Sequence, residues 1–338
     1  MLGLDASFSV VDSHTAGHPT RVVLSGVPPL PGDSVRARRD HFRKHHDDLR
    51  PLLLHEPRGH AAMVGLVPVP STIADYGAFF ISSYVYLDMC GHGTIGYART
   101  LAATGALTRE IAPERFSLET PAGVVDVRLD WAADGGLAGV RLRNVPSYLA
   151  AEDVTITLDG VGEVRADLAY GGMWYLLVDA GPLGLALDSE HVTPALSLGS
   201  RLKAAFNDVL HARGLIDPSD MASVLFYADA DPADAPGEAA AARHLLVLEA
   251  NKFDRSPCGT GTAARTAQLV HRGRIPLGGT YRAENLLGVA FAATAAAGTE
   301  VAGHRAVIVE IAGNAHIIAF STIVRERGDP LPTGFLCR

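Results

Sequence analysis

The amino-acid sequence predicts an α+β fold of mixed α/β type, in which strands dominate and each half of the chain contains one central helix. Its 338 residues suffice for two domains with a hydrophobic core each. Short apolar runs separated by Gly, Pro and Asp recur at intervals typical of β-rich structure. A Gly-rich motif followed by a stretch of helical character occurs in each half, which indicates two copies of one structural unit.

The first half begins with a predicted strand over residues 8–12, a turn at 15–19 and a strand over 20–25. Apolar and charged residues at helical spacing predict one helix between residues 33 and 54. The remaining apolar runs predict short strands at 63–69, 78–85, 116–120, 124–129 and 140–144.

The second half repeats this order of elements. A strand over 173–179 precedes a helix over 198–212, and strands follow at 223–228 and 245–249. The Ala-rich segment 229–243 has no periodicity and is predicted to be a flexible surface loop. We place the domain boundary near Asp159-Gly160. The first domain then comprises residues 1–160 with about 320–338, and the second comprises 161–319.

The composition excludes several classes of partner. Apolar residues make up 48 % and charged residues 20 % of the chain, and the net charge is −8 without a long basic block, so nucleic-acid binding is not expected. The sequence has no run of 18 apolar residues and no recognisable secretory signal, which predicts a cytoplasmic protein without membrane contact. The sequence leaves the oligomeric state open, with a homodimer as one alternative.

The repeated motif places a cysteine in a Gly-rich turn before each predicted helix, as Cys90-Gly91-His92-Gly93-Thr94 and Cys258-Gly259-Thr260-Gly261-Thr262. A helix N-terminus lowers a thiol pKa from about 8.5, and its N–H groups can bind a carboxylate. Two such thiols could invert an α-carbon, one removing a proton as thiolate and the other returning one. We therefore predict that Cys90 and Cys258 are catalytic. The alternatives are helix-capping apolar cysteines or a disulfide between them.

Other residues near the motifs are candidates for substrate binding. His92 could bond to substrate or tune the thiol, or it could be a surface or capping histidine. Asp254 could receive an ammonium group, or it could be a turn-forming aspartate. The string His55-Glu56-Pro57-Arg58-Gly59-His60 has the wrong spacing for a zinc site, so no metal is predicted, and Glu56 and Arg58 are expected to pair. Cys337 is expected to be a terminal thiol without a role.

No cofactor is predicted. The lysines, Lys44, Lys203 and Lys252, do not lie in a Gly- or Ser-rich pyridoxal setting. No strand–turn–helix carries a dinucleotide fingerprint. The expected partner is therefore a small-molecule substrate alone.

With both cysteine motifs in hand, nearly the whole chain resembles the proline racemase superfamily. The supporting strings are Glu56-Pro57-Arg58-Gly59-His60, Thr120-Pro121-Ala122-Gly123, Asn144-Val145-Pro146-Ser147, Tyr170-Gly171-Gly172, Asp254-Arg255-Ser256-Pro257, Asp329-Pro330 and Gly334-Phe335. The resemblance implies a cofactor-free fold of the diaminopimelate epimerase type: two pseudo-symmetric lobes, strands wrapped around a central helix in each, and an active site in the cleft. By motif, Cys90 and Cys258 are the acid/base pair, Asp254 holds the amine, and the carboxylate and its surroundings are held by Gly91, His92, Gly259 and Thr260.

The resemblance also orders the candidate reactions. It implies a 2-epimerase of hydroxyproline, similar to 4-hydroxyproline 2-epimerases, with proline racemase and trans-3-hydroxy-L-proline dehydratase as alternatives. The dehydratases carry threonine where this chain has Cys258. An inactive imino-acid binding protein is the alternative from another class.

Some positions depart from the family pattern, which leaves the ring substituent open. Ala16 replaces a cysteine that epimerases often have, and Met173 and Trp174 replace Asn-Phe. Val224 replaces a histidine and Leu248 replaces Tyr or Phe. We expect Val224 and Leu248 to face the substrate's ring, with His18 as the nearest replacement donor.

Overall fold

A computed structural model describes residues 3–231, 237–249 and 252–337 of the chain. The chain divides into two compact units: unit 1 comprises Met1–Leu142 and Gly313–Arg338, and unit 2 comprises Arg143–Ala312. In the part of the chain that the structure describes, no helix combines the length and apolar character that crossing a membrane requires.

Unit 1 contains two helices that pack outside its sheet and one that its strands surround. Its elements are β1 (Leu4–Thr15), β2 (His18–Ser25), α1 (Val35–His45), α2 (Leu49–Leu54), β3 (Val64–Val69), β4 (Tyr76–Ser82), β5 (Tyr86–Leu87), α3 (Gly91–Ala103), β6 (Arg115–Thr120), β7 (Gly123–Trp131), β8 (Leu137–Arg143) and β18 (Ala315–Glu326).

Among its described residues, unit 2 contains one outer helix, a 3₁₀ turn and one helix that its strands surround. Its elements are β9 (Ser147–Leu158), β10 (Gly162–Tyr170), β11 (Trp174–Asp179), a 3₁₀ turn (Gly181–Leu183), α4 (Val192–Ala212), β12 (Ser223–Asp229), β13 (Ala240–Glu249), β14 (Lys252–Phe253), α5 (Gly259–His271), β15 (Thr280–Glu284), β16 (Ala290–Val301) and β17 (His304–Gly313).

The strands of the two units pair in the same pattern. Unit 1 has the order β18-β1-β2-β3-β4-β6-β7-β8, and unit 2 has the order β9-β10-β11-β12-β13-β15-β16-β17. In both, the third pair (β2–β3 or β11–β12) and the fifth pair (β4–β6 or β13–β15) are parallel and the others antiparallel. In unit 2, β17 also pairs with β9 and closes the order into a ring. The predicted repeat of one structural unit is thus confirmed.

The domain boundary differs from the predicted one because the sequence analysis missed β9 and β10. Residue 160 lies in the turn between these two antiparallel strands, which both belong to unit 2. The acidic pair Glu152-Asp153 interrupts the alternation of β9, and Asp153 has a φ of 48° beside a register shift. The chain therefore passes from unit 1 to unit 2 at residues 142–143. It returns to unit 1 at residues 312–313 instead of near residue 320.

Two other predicted elements need correction. The single helix expected over 33–54 is two helices, and Pro51, which lacks an N–H, lies in the first turn of α2, where none is needed. The loop expected over 229–243 is shorter. Strand β12 extends to Asp229, β13 begins at Ala240, and these two strands pair with each other. The middle of that segment, 232–236, lies outside the described residues.

The central helices, α3 and α5, are buried on nearly all sides and carry small residues where strands approach. In α3, a Cβ at Gly96 would lie 3.0 Å from the Ser13 Oγ and 3.1 Å from the Thr20 Cβ. Both helices end before glycines with φ of 75° (Gly105) and 67° (Gly273). The outer helices cover the opposite faces of the sheets: Phe42 and Leu52 pack with Phe79 in unit 1, and Leu202 and Phe206 pack with Phe226 in unit 2.

Candidate active site

The first cysteine lies at the N-terminus of α3 in unit 1. Cys90 is the N-cap residue, with extended backbone (φ −146°), and only 6 % of it is exposed. Its carbonyl accepts hydrogen bonds from the Thr94 amide (2.9 Å) and hydroxyl (2.8 Å). Its sulfur lies 3.5 Å from the His92 Nδ1 and 3.6 Å from the Nε2. The structure therefore brings the predicted residue His92 into contact with the Cys90 thiol.

The turn between β1 and β2 supports this imidazole. The buried Thr15 hydroxyl donates to the His92 carbonyl at 2.9 Å. The buried His18 ring packs edge-on against the His92 ring, with centroids 4.3 Å apart. His18, predicted as a donor toward the substrate, thus contacts His92. Thr15 is a positioning residue that the sequence analysis did not identify.

The second cysteine lies at the N-terminus of α5 in unit 2. Cys258 has a φ of 67°, in the region that favours glycine, and 4 % of it is exposed. Its sulfur accepts the Gly261 N–H at 3.3 Å. The same sulfur lies 3.5 Å from the Tyr175 hydroxyl and 3.8 Å from the predicted binding residue Thr260, at Oγ1.

The turn before α5 is stabilised by Asp254. Its Oδ1 accepts hydrogen bonds from both the amide and the hydroxyl of Ser256 at 2.8 Å. The Ser256 hydroxyl in turn accepts the Cys258 N–H at 3.2 Å. Asp254 is therefore a turn former with a buried carboxylate, and holding a substrate amine stays a prediction for it.

A buried histidine on β13 fixes the residue before Cys258. The His244 Nδ1 lies 3.0 Å from the Pro257 carbonyl, and the Nε2 lies 2.6 Å from the Tyr281 hydroxyl. Burial lowers the pKa of His244 to about 4, so the ring is neutral. Its Nδ1–H therefore donates to the carbonyl while Nε2 accepts from the phenol. Sequence spacing gave no signal for this contact, because β13 is brought to the turn only by the sheet.

Burial also decides the protonation of Cys258. Desolvation, followed by the charge of Asp254, raises the pKa of the thiol to about 12, although the hydrogen bonds from Tyr175 and the Gly261 amide lower it. The prediction that the helix N-terminus favours the thiolate is therefore wrong for Cys258. The sulfur lies among apolar residues, and its desolvation outweighs the hydrogen bond from the Gly261 N–H at the start of α5.

Other sequence motifs that resemble the proline racemase superfamily lie next to these helices within each unit. The Asn144 Nδ2 donates to the Gly171 carbonyl at 2.8 Å, and a Cβ on Gly171 would lie only 2.1 Å from the Thr260 carbonyl oxygen. In unit 1, the Arg58 guanidinium pairs with Asp329 and not with Glu56 as predicted. The Glu56 carbonyl accepts the Phe335 amide instead, which joins the strings near both ends of the chain.

The expected orientation of Val224 is wrong, whereas that of Leu248 stays a prediction. Val224 is fully buried in the cluster beneath α4, with Leu176 and Val247. The next residue of β12, Leu225, is the one that packs with Cys258, because side chains alternate along a strand. Leu248 packs against the cluster that contains Leu225 and Cys258.

Of the other three departures, Ala16 lies buried in the turn between β1 and β2 with a φ of 48°, Met173 directly precedes β11, and Trp174 begins it. Met173 is 41 % exposed. The Trp174 indole N–H donates to Asp220 at 3.1 Å, and its ring packs edge-on against Tyr170.

Each of the two units, which share one topology, has a cysteine at the start of its central helix, and relatives of this chain are named as racemases and epimerases, which are isomerases. The chain belongs to the proline racemase family, because the family model described as "Proline racemase" matches residues 10–336. The predicted resemblance and the mixed α/β fold class are thereby confirmed.

Named relatives span several activities. The chain is 40 % identical to the 4-hydroxyproline 2-epimerase of Streptosporangium roseum, over 97 % of this chain and 98 % of that protein. It is 35 % identical to a trans-3-hydroxy-L-proline dehydratase of Burkholderia cenocepacia, over 99 % of both chains. It is 33 % identical to the proline racemase of Clostridioides difficile, over 98 % of both.

Solved structures share the fold. A hydroxyproline epimerase from Agrobacterium vitis with bound trans-4-hydroxy-L-proline has a TM-score of 0.84 and 30 % identity, over 98 % of this chain and 96 % of that one. A PhzF-family phenazine biosynthesis protein from Bacillus anthracis has a TM-score of 0.60 at 14 % identity, over 94 % of this chain and 99 % of that one, and so shares the fold alone.

Proposed function

We propose that this protein is a cofactor-independent 2-epimerase of hydroxyproline, with 4-hydroxyproline as substrate. The observation that carries the proposal is the 40 % identity over nearly the whole chain to a 4-hydroxyproline 2-epimerase. The similarity to the A. vitis epimerase bound to trans-4-hydroxy-L-proline supports the same substrate.

The proposed mechanism uses the two thiols as an acid/base pair. One cysteine, as thiolate, takes the α-proton, and the other, as thiol, returns a proton to the opposite face of the carbanion. After one turnover the two cysteines have exchanged protonation states, and the α-carbon is inverted. Cys258 retains its proton at neutral pH because its pKa is about 12. We therefore assign it the acid role in the direction in which Cys90 is the base.

The residues around the thiols would bind the imino acid. The N–H groups at the starts of α3 and α5, including those of Gly91, His92, Gly259 and Thr260, suit a carboxylate, since a helix N-terminus carries partial positive charge. Asp254, with its buried carboxylate, is assigned to the substrate amine. Each central helix, α3 and α5, is preceded by its own cysteine, so a carboxylate bound at either N-terminus would lie close to the sulfur of that unit.

Proline racemase is the second candidate, and the apolar face beside Cys258 favours it. Leu225, Leu246 and Leu248 pack around this cysteine and offer no hydrogen bond to a ring hydroxyl. An apolar pocket rejects an added hydroxyl only weakly, by roughly a hundredfold at most. The dehydratase is disfavoured, because this chain retains cysteine at position 258.

A substrate screen tests the proposal. The purified protein, dialysed against EDTA, is incubated in D₂O with L-proline and with the 3- and 4-hydroxyprolines, and the products are resolved by chiral chromatography and mass spectrometry. We expect trans-4-hydroxy-L-proline to give cis-4-hydroxy-D-proline with deuterium at the α-carbon and the highest kcat/KM. Higher kcat/KM for proline would select the racemase, a dehydrated product would select the dehydratase, and binding without deuterium incorporation would leave only a binding protein.

A further inference from the structure

Tyr175 on β11 places a phenolic hydroxyl against the sulfur of Cys258. Its oxygen lies 3.5 Å from the sulfur and 2.5 Å from the Thr260 Oγ1. The side chain is 1 % exposed and packs with Leu177 and Leu225 in the apolar cluster that contains Cys258. A hydroxyl held between a sulfur and a second hydroxyl has two acceptors and one proton to share between them.

We propose that Tyr175 is a further catalytic residue, whose hydroxyl donates a hydrogen bond to the Cys258 thiolate and turns to Thr260 when Cys258 is protonated. The proposal rests on the proposed function, because that function requires Cys258 to alternate between thiol and thiolate. Nothing is transferred in this step: the phenolic proton stays on Tyr175 and only its hydrogen bond changes partner.

The need for such a donor follows from burial. A thiolate in an apolar cluster is costly unless hydrogen-bond donors face it, and the Gly261 N–H supplies one. The Tyr175 hydroxyl supplies a second, whereas the Thr260 hydroxyl is more distant, at 3.8 Å. Burial and the neighbouring Cys258 raise the pKa of Tyr175 well above its usual value, so the phenol remains a donor.

The groups around Cys258 leave Tyr175 as the side chain suited to this task. Within unit 2, the residues of β9, β10, β12 and β13 that pack with the sulfur are mostly apolar: Leu149, Ala169, Leu225, Leu246 and Leu248, with Tyr227 at the edge of the cluster. Asp254, in the turn before α5, opposes ionisation of the thiol. A carboxylate cannot stabilise a thiolate, and a phenol can.

The test compares Tyr175→Phe with Tyr227→Phe, a second tyrosine of the same cluster whose ring contacts the Arg265 guanidinium. Alkylation by iodoacetamide is followed peptide by peptide between pH 7 and 10, with exposed Cys337 as the internal reference. We expect Tyr175→Phe to slow alkylation of Cys258 by about tenfold, one pKa unit, because the thiol then ionises less. Tyr227→Phe should leave it unchanged. A merely looser pocket would expose the sulfur and accelerate its alkylation.

A kinetic measurement completes the test. With substrate, Tyr175→Phe should lower kcat by about tenfold or more while KM changes little, as expected for an interaction that serves proton transfer. Unchanged alkylation and kcat in Tyr175→Phe would overturn the proposal. If no imino acid is turned over at all, the proposed function fails, and the alkylation rates alone decide whether Tyr175 bonds to the sulfur.

Discussion

The N-termini of α3 and α5 begin with equivalent cysteines but hold them differently. Cys90 has extended backbone and an imidazole as neighbour, whereas Cys258 has a φ of 67° and a phenol, a hydroxyl and a backbone N–H around its sulfur. A non-glycine residue with such a φ costs about 1–3 kcal/mol and persists only where its surroundings fix it. In unit 2, those surroundings are His244, Ser256 and Asp254.

The comparison shows that a repeated motif sets the position of a thiol but not its chemistry. The five-residue motif starts a helix of 13 residues in both units. The neighbours of each sulfur come instead from other strands: Thr15 and His18 support His92 in unit 1, and Tyr175 is supplied by β11 in unit 2. Because the two thiols have unequal environments, they suit an acid/base pair in which one thiol holds a proton and the other accepts one.

Replacing either thiol should have the largest effect. Cys90→Ser and Cys258→Ser should each reduce epimerisation by about 10²–10⁴-fold, the usual contribution of general acid–base catalysis, because a hydroxyl is a far weaker acid than a thiol. Steady-state kinetics with chiral detection measures the loss, and Cys337→Ser is the matched control that should keep full activity. Near-native turnover by either active-site variant would exclude the two-thiol mechanism.

The second-largest effect is expected at His244, which fixes the turn before α5 in unit 2. His244→Leu removes the donor to the Pro257 carbonyl and should cost about 1–3 kcal/mol of unfolding free energy, the usual cost of an unsatisfied buried group, together with a fall in kcat. Urea denaturation and kinetics measure both quantities. His244→Asn keeps a donor near the position of Nδ1 and should recover most of the kcat. If both variants lose the same activity, the contact with Pro257 does not position Cys258.

The high pKa of Cys258 also predicts a pH dependence of stability. An unfolded thiol ionises near pH 8.5, whereas the folded one does so near pH 12. Between these values the unfolded state binds fewer protons, so stability falls as pH rises above about 8.5 and is retained below it, with a loss of up to about 2 kcal/mol at pH 10.

Urea midpoints at pH 8 and pH 10 test this dependence. Cys258→Ser should show a smaller fall between the two pH values than the wild type, and Cys337→Ser should fall as the wild type does. Equal falls in wild type and Cys258→Ser would mean that burial does not hold the thiol protonated.

The smallest effects concern ring specificity. Val224→His should lower stability by about 1–3 kcal/mol, because it places a polar ring in the core beneath α4, and should leave the preference between 4-hydroxyproline and proline unchanged. Leu248→Tyr, on the face that packs with Cys258, should change that preference by a few-fold, within the roughly hundredfold range of an apolar pocket. The ratio of kcat/KM for the two substrates measures this. A large shift in preference in Val224→His alone would contradict the orientation of β12.

The sequence by itself determined the repeat, the mixed α/β class, the two cysteines at helix N-termini and the family. These are local properties: a Gly-rich cap, a buried small-residue helix and a C-terminal glycine depend on neighbours along the chain, and both copies follow the pattern. The break between α1 and α2 and the strands β9 and β10 were missed, and in β9 the acidic pair Glu152-Asp153 obscures the alternation that identifies a strand.

The tertiary structure alone decided which side chains surround each sulfur, and that burial keeps Cys258 protonated. Pairing places Tyr175 and His244 beside α5, although both are distant from Cys258 in sequence, and alternation along β12 turns Val224 away while Leu225 faces the thiol. Desolvation depends on everything packed around an atom, so the effect that raised the pKa of Cys258 could not be inferred from a motif. The local pattern predicted a thiolate, and the surrounding core made it a thiol.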